Sequence, residues 1–360
     1  MTSSSTFVTV VTRDHLAHAR VLARRLRRFH EEPLYVLCVD DPSGDRDAAA
    51  LPFRLVSLDD VLPAEHRGMT FFYTAFELCN ALKPWLLRHI LATTPHDRCI
   101  YLDADVFPYG SFEAALAELE FASALLTPHA LSPPPAAAAA VLETISLKYG
   151  VYNGGFLGVR TCTEAMRFLD WQAARLATLG FRGWRDVFVD QLWLNLAPVY
   201  FEGVKAWRHP GANVANWNLY ERVLSRAGDG FTANGQLLLF AHMSNWRFDA
   251  PEDWTLGRPL APGTDATIIA EIGQRYRDEL AAADHEKCRS WPYGFGAFAT
   301  GRPITLPMRR EWYERIQSGT APAGSPFDHP EWFRGPRYVE WKRYVPLPVK
   351  RFLHKSITST

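Results

Sequence analysis

An α/β fold, a mostly parallel central sheet flanked by helices, is predicted by three features of the sequence. The β-branched run Phe7-Val-Thr-Val-Val11 is followed by apolar residues at helical spacing: Leu16, Ala19, Leu22, Ala23, Leu26 and Phe29. A second apolar run, Leu34 to Val39, comes directly after that period, which gives the strand–helix–strand crossover of a parallel sheet. Strands buried on both faces read as unbroken apolar runs, and Cys99-Ile-Tyr-Leu102 is such a run, closed by two acids, Asp103 and Asp105.

Taken in order, the strand at 7–11 gives way to Thr12-Arg13-Asp14, a helix-start signal. Phe53 to Leu58 reads as a third strand, and Thr74 to Ala92 as one long helical segment leading into the strand with the acids. Ser132-Pro-Pro-Pro135 and the alanines after it read as a surface connection or the base of a lid. Tyr152-Asn-Gly-Gly155 and Phe156-Leu-Gly-Val159 read as a strand entered through a glycine turn. The expected division is a first domain over 1–255, a helical and loop extension packed on it over 256–320, and an irregular basic, aromatic tail over 321–360.

Composition narrows the function classes. Lys+Arg and Asp+Glu number 39 each, so the chain lacks the basic excess by which nucleic-acid binders neutralise phosphates. A hydrophobic content of 48% is enough for a sizeable core. No basic segment followed by an apolar one opens the chain, and no run approaches the roughly 18 apolar residues of a membrane span, so a cytoplasmic location is expected. Cys38, Cys79, Cys99, Cys162 and Cys288 are odd in number and widely spaced, which reads as reduced core thiols, not a disulfide framework or a zinc site.

Asp103 and Asp105 sit at alternate positions, so on a strand both carboxylates face one side and can share a hard divalent cation. Two carboxylates leave most of a metal shell to water and to the phosphates of a nucleotide. Ligands of open α/β sheets bind beyond the carboxyl ends of the strands, where these acids fall. Alone, D-x-D also fits surface acids at a strand end.

Four motifs occur together and in order: Tyr101-Leu-Asp-Ala-Asp105, Tyr152-Asn-Gly-Gly155, Asp190-Gln-Leu-Trp-Leu-Asn195 and Ala241-His-Met-Ser244. In this the chain resembles the nucleotide-sugar glycosyltransferases of family 8, which have the GT-A fold. It is more similar still to a group of bacterial GT-A proteins, through Glu77-Leu-Cys-Asn-Ala-Leu-Lys-Pro84, Leu126-Thr-Pro-His129 and Asn213-Val-Ala-Asn-Trp-Asn-Leu219. The resemblance spans roughly residues 7 to 250.

It implies that Asp103, Ala104 and Asp105 face the diphosphate of a sugar nucleotide, and that Asp103, Asp105 and His242 hold Mn²⁺ or Mg²⁺. An imidazole ligand favours manganese. By itself His242 also reads as a strand-end residue. Asn153, Gly154 and Gly155 match a turn beside the transferred sugar, or form an ordinary hairpin turn. Asp190 and Gln191 match a pair bordering the sugar, and Asp190 can also cap a helix.

Thr12 and Asp14 follow the first strand where the family contacts base and ribose, and Asp14 can equally cap the next helix. Lys83 suits contact with phosphate or sugar, or a solvated helix end. The family's H-x-x-G-x-x-K segment needs glycine and lysine where Asn245 and Phe248 stand, so Arg247 is the candidate for the phosphate-binding charge.

The implied activity is metal-dependent transfer of a sugar from a nucleoside-diphosphate sugar to an acceptor hydroxyl on a glycan, a lipid-linked molecule or a small molecule, with retained anomeric configuration. The roles given to Gln191, Asp190 and Asn153 lie at the sugar. An inverting transferase and a catalytically silent nucleotide-sugar or glycan binder are the alternatives. Between Glu331 and Thr360, seven Lys/Arg stand against two acids and alternate with aromatic rings. Such a tail suits either peripheral contact with an anionic membrane or wrapping around the catalytic domain.

Overall fold

The structure, a computed structural model, describes residues 4–40 and 51–333. The chain opens with β1 (Ser5–Val11), α1 (Leu16–Leu26), β2 (Leu34–Cys38), β3 (Arg54–Val56), α2 (Leu58–Val61) and α3 (Met69–Phe72). It continues through α4 (Ala75–Ala81), α5 (Lys83–Thr93), β4 (Arg98–Leu102), β5 (Val106–Pro108), α6 (Glu113–Glu118) and β6 (Ala124–Pro128). Then come α7 (Ala136–Tyr149), β7 (Tyr152–Arg160), α8 (Thr163–Leu179), α9 (Ala197–Tyr200) and β8 (Val204–Ala206). Strands β9 (Leu224–Ala227), β10 (Gly230–Ala233), β11 (Gln236–Leu237) and β12 (Phe240–His242) precede α10 (Ala266–Ala281), α11 (His285–Arg289) and α12 (Leu306–Gln317).

Seven strands form the central sheet in the order β3-β2-β1-β4-β7-β6-β8. All run parallel except β7, which is antiparallel to β4 and β6. The period of two explains the unbroken apolar runs. Phe7 and Val11 of β1 and Ile100 and Leu102 of β4 enter one hydrophobic cluster, while Val8, Val10, Cys99 and Tyr101 enter the other. Helix α1 buries Leu16, Ala19, Leu22, Ala23 and Leu26 in the first cluster. Phe29, read as part of the same period, lies beyond the helix end and is 37% exposed.

The segment expected as one helix over 74–92 is two, α4 and α5, that meet at Leu82. Pro84 falls in the first turn of α5, where a missing N–H costs nothing, but it cannot extend the hydrogen-bond ladder of α4. Helix α4 begins with a capping box between Thr74 and Glu77. The alanines after Pro135, expected as a surface connection, instead start α7, a helix with no buried residue, in line with the high helix propensity of alanine. The Asn-Gly-Gly segment, expected as a turn before the strand, lies inside β7, and the turn is made one step earlier by Gly150 at φ 111°.

The C-terminal helices are tied to the front of α4. Arg309 donates to the carbonyls of Phe71 (2.6 Å), Tyr73 (2.8 Å) and Phe295 (2.6 Å). Arg310 donates to Phe72 O (3.0 Å) and pairs with the buried Glu77. Trp332 stacks on Trp312, and Phe333, 1% exposed, stacks on Phe71. The seven basic residues of the tail and its expected membrane contact lie outside the described residues. No helix among the described residues is long and apolar enough to cross a membrane.

Candidate active site

The two acids stand just past the end of β4. The N–H of Asp103 donates to Gly155 O (2.9 Å), adding one more rung to the β4–β7 ladder and setting Asp103 beside the glycine pair. A turn closed by Val106 N–H to Asp103 O (3.0 Å) carries the chain into β5, so the acids sit on a turn and not on a strand face. Strand β5 pairs antiparallel with β12, and His242 lies opposite Val106. That register brings the imidazole to the acids. His242 Nε2 is 3.2 Å from Asp105 Oδ1 and 3.9 Å from Asp103 Oδ2. One ligand atom from each of the three side chains lies within 4.8 Å of the others, a group that could hold a metal ion.

Asp103 divides its oxygens between two tasks. Oδ1 accepts from the Tyr101 hydroxyl (2.6 Å) and is 3.1 Å from Lys83 Nζ, which leaves Oδ2 toward His242. Lys83 is 2% exposed, far from the solvated helix end that a lysine before proline suggests. Its ammonium meets Asp103, Asp190 Oδ2 (3.2 Å) and Gly154 O (2.8 Å), which accounts for its three N–H bonds. Burial works against that charge, and the two carboxylates outweigh it, raising the ammonium above its ordinary pKa. One lysine shared by two acids leaves Asp190 under-compensated. Its burial pushes the carboxyl up to about 6 despite Lys83. Asp190 caps no helix, and its Oδ1 is buried without a hydrogen-bond partner.

At Asp105 burial opposes ionisation, yet the adjacent His242 draws the carboxyl down to about 2. Burial likewise opposes charge on His242, and Asp105 overrides it, raising the imidazole.

The glycines serve close packing. A Cβ on Gly154 would lie 2.6 Å from Asp190 Oδ2, and one on Gly155 would lie 2.3 Å from His242 Cε1. Their N–H groups are used within the protein, Gly154 donating to Gln191 Oε1 (3.1 Å) and Gly155 to Asn153 Oδ1 (3.0 Å). Gln191 is held at its other end too, donating from Nε2 to Tyr149 O at the close of α7 (2.8 Å). Gly155→Ala is therefore expected to displace His242. A Mn²⁺ titration should show weaker binding, with about 1–3 kcal/mol of stability lost to overpacking. Gly158→Ala, whose Cβ would meet only the side-chain tip of Leu119 at 3.2 Å and ordinary contacts beyond, is the control that should change neither.

These groups line one cleft of about 1730 Å³. Of the residues singled out in the sequence, Thr12, Asp14, Lys83, Asp103, Ala104, Asp105, Asn153, Gly154, Asp190, Gln191 and His242 face it. Gly155 lies behind, against His242. Asp14 does not cap α1; it accepts from Thr12 Oγ1 and lies 3.0 Å from His15 Nδ1.

Arg247 is not among the cleft residues. It is half-exposed and paired with Asp253 at 3.1 Å, while the preceding Asn245, at φ 60°, and Trp246 face the cleft. Two arginines line the cleft, Arg182 and Arg258; Arg258 is half-buried, and burial alone lowers its pKa. Nothing in the sequence marked Arg258, which follows a Leu256-Gly257 turn in an irregular stretch. Nor did anything mark His18, one turn into α1 on the cleft side.

No family model matches the chain. A curated relative, the uncharacterized protein YfnD of Bacillus subtilis (strain 168), is 25% identical over 259 residues, covering 69% of this chain and 80% of YfnD. Among solved structures, the galactosyltransferase LgtC, in complex with donor and acceptor sugar analogues, is similar at a TM-score of 0.48 and 15% identity, covering 77% of this chain and 99% of LgtC. The glycosyltransferase GlyE of Streptococcus pneumoniae TIGR4 is similar at 0.42 and 14% identity, over 82% of this chain and 67% of GlyE. Mouse xyloside xylosyltransferase 1 in its apo form is similar at 0.35 and 15% identity, over 57% of this chain and 84% of that one.

Proposed function

We propose that the chain is a nucleotide-sugar glycosyltransferase that uses a divalent cation. The observation that carries this reading is the meeting of Asp103, Asp105 and His242 at the floor of a large cleft, at the carboxyl end of a parallel strand. Two carboxylate oxygens and one imidazole nitrogen suit Mn²⁺, with Mg²⁺ the weaker fit. When bound, such an ion neutralises charge that builds on a leaving diphosphate. Holding it requires the His242 ring to present an unprotonated Nε2.

The cleft exceeds the ~300–1,000 Å³ usual for a single drug-sized ligand, which leaves space for a donor and an acceptor together. Asp190 Oδ1, buried and unpartnered, is placed to accept from a sugar hydroxyl. Gln191 and Asn153 shape the sugar end through the Gly154 and Gly155 backbone. Lys83 acts indirectly, fixing Asp103 and Asp190 in relation to each other. Arg258 takes over the diphosphate-binding charge expected of Arg247. With no carboxylate set out as a nucleophile, transfer with retention by front-face displacement is the chemistry we assign, to an acceptor hydroxyl in the cytoplasm.

The test is release of nucleoside diphosphate from a panel of nucleotide sugars with Mn²⁺, Mg²⁺ or EDTA. Release only with a divalent ion is expected. A donor at about 100 times its Kd should also raise stability by about 2.7 kcal/mol in a thermal melt. A donor-dependent thermal shift without release would make the protein a binder, and neither response from any donor would end the reading.

A further inference from the structure

We propose that Asn213 is a positioning residue, one that accepts a hydrogen bond from His242 Nδ1–H and so keeps Nε2 free to ligate a divalent cation. The inference rests on the metal-group reading above, but its geometry can be checked in the metal-free protein.

His242 Nδ1 lies 3.1 Å from Asn153 Oδ1 and 3.2 Å from Asn213 Oδ1. Which atom of each amide faces the ring is fixed by its other contacts. A backbone N–H can only donate, so the Asn153 atom that Gly155 N–H reaches at 3.0 Å is oxygen. The Asn213 amide places Nδ2 toward the Pro128 carbonyl (3.5 Å), which turns its oxygen to the ring as well. Faced by two amide oxygens and, among the described residues, no donor, Nδ1 is favoured to carry a hydrogen. On its other side Nε2 faces the Asp105 carboxylate, so in a neutral ring the two amide oxygens compete with that acid, and the tautomer they favour has its lone pair on Nε2, the nitrogen that looks onto Asp105 and Asp103. Trp217 closes the ring edge-on with centroids 5.2 Å apart, so imidazole rotation is restricted.

Asn213 is held where this contact needs it. The Val214 N–H donates to Phe240 O (3.2 Å) and Val214 O accepts from His242 N–H (2.8 Å), which runs residue 213 alongside β12. Asn218 donates from Nδ2 to Asn213 O (2.9 Å) and accepts the Ala215 N–H (3.0 Å), bracing the turn. The turn places Asn213 at φ 54°, a left-handed conformation that asparagine tolerates better than most residues. At 1% exposure the amide has no water to turn to, so its oxygen depends on this contact.

The positive φ selects the variants. Asn213→Gly keeps the backbone conformation and removes the acceptor, whereas Asn213→Asp keeps the acceptor. Ring ¹⁵N shifts of His242, read without metal at a pH where the imidazole is neutral, should report an Nδ1–H ring in the full-length protein. The Asn213→Gly variant should show a substantial Nε2–H fraction, since Asn153 alone remains, and Asn213→Asp should restore Nδ1–H. Mn²⁺ affinity, titrated without any sugar nucleotide, should fall about 10- to 100-fold in Asn213→Gly and recover in Asn213→Asp. An Nδ1–H ring and unchanged Mn²⁺ affinity in Asn213→Gly would overturn the proposal. If the wild-type chain binds no Mn²⁺, the metal reading fails, while the ring shifts still decide whether Asn213 sets the tautomer.

Discussion

Asp105→Ala should lower divalent-dependent turnover by about 10³-fold, equivalent to about 4 kcal/mol of transition-state stabilisation, while the fold stays intact. The side chain is 35% exposed and pairs with His242 Nε2. Losing it removes a ligand and leaves the His242 ring still held by two asparagines. Stability should therefore change by no more than about 1 kcal/mol. Asp103→Ala should lose as much activity but also release Lys83 and the Tyr101 hydroxyl, so its urea midpoint should drop as well. The contrast is diagnostic: two acids with equal effects on Mn²⁺ affinity and unequal effects on stability. Turnover that still responds to Mn²⁺ in the Asp105 variant would remove the acid from the site.

What could be seen in the sequence follows from how local each signal is. Strands β1, β2 and β4 are marked by apolar runs because both sheet faces are covered, and the acids are marked by where the β4 run stops. His242 could be found only through the ordered motifs. Its neighbours at the site are set by the β5–β12 register, a pairing across more than 130 residues that no local pattern encodes. The break at Leu82 was available from Pro84, which the apolar period on either side outweighed.

The burial of Lys83, the neighbours of the glycines in β7 and the grip of Arg309 and Arg310 on residues 71–77 are all tertiary. In sequence a buried lysine is indistinguishable from a solvated one. Arg247 and Arg258 show the same limit. Arg182 and Arg258 line the cleft and Arg247 does not, a difference that no pattern around the three arginines reports.

Lys83→Met should destabilise the protein by about 3–5 kcal/mol, the usual consequence of removing one partner of a buried ion pair. The stem of the side chain can be replaced, but Asp190, 2% exposed, would keep a carboxylate with no cation and one oxygen already unpartnered. Two ways out are open to the variant. Asp190 can take up a proton, for which burial has already moved it part of the way, or the 190 loop can swing toward water and carry Gln191 off the Gly154 N–H. The double variant Lys83→Met/Asp190→Asn distinguishes them, since a neutral amide next to a methionine carries no uncompensated charge. It should regain most of the lost stability in urea unfolding while donor turnover stays low, because both the brace and the free carboxylate oxygen are gone. If the single variant unfolds at the wild-type midpoint, the Asp103–Lys83–Asp190 bridge does not hold the cleft floor in solution. If the double variant is no more stable than the single, the lost energy belongs to the cation–π contact of the Lys83 ammonium with Tyr101, whose ring centre lies 4.8 Å away, and not to the stranded acid.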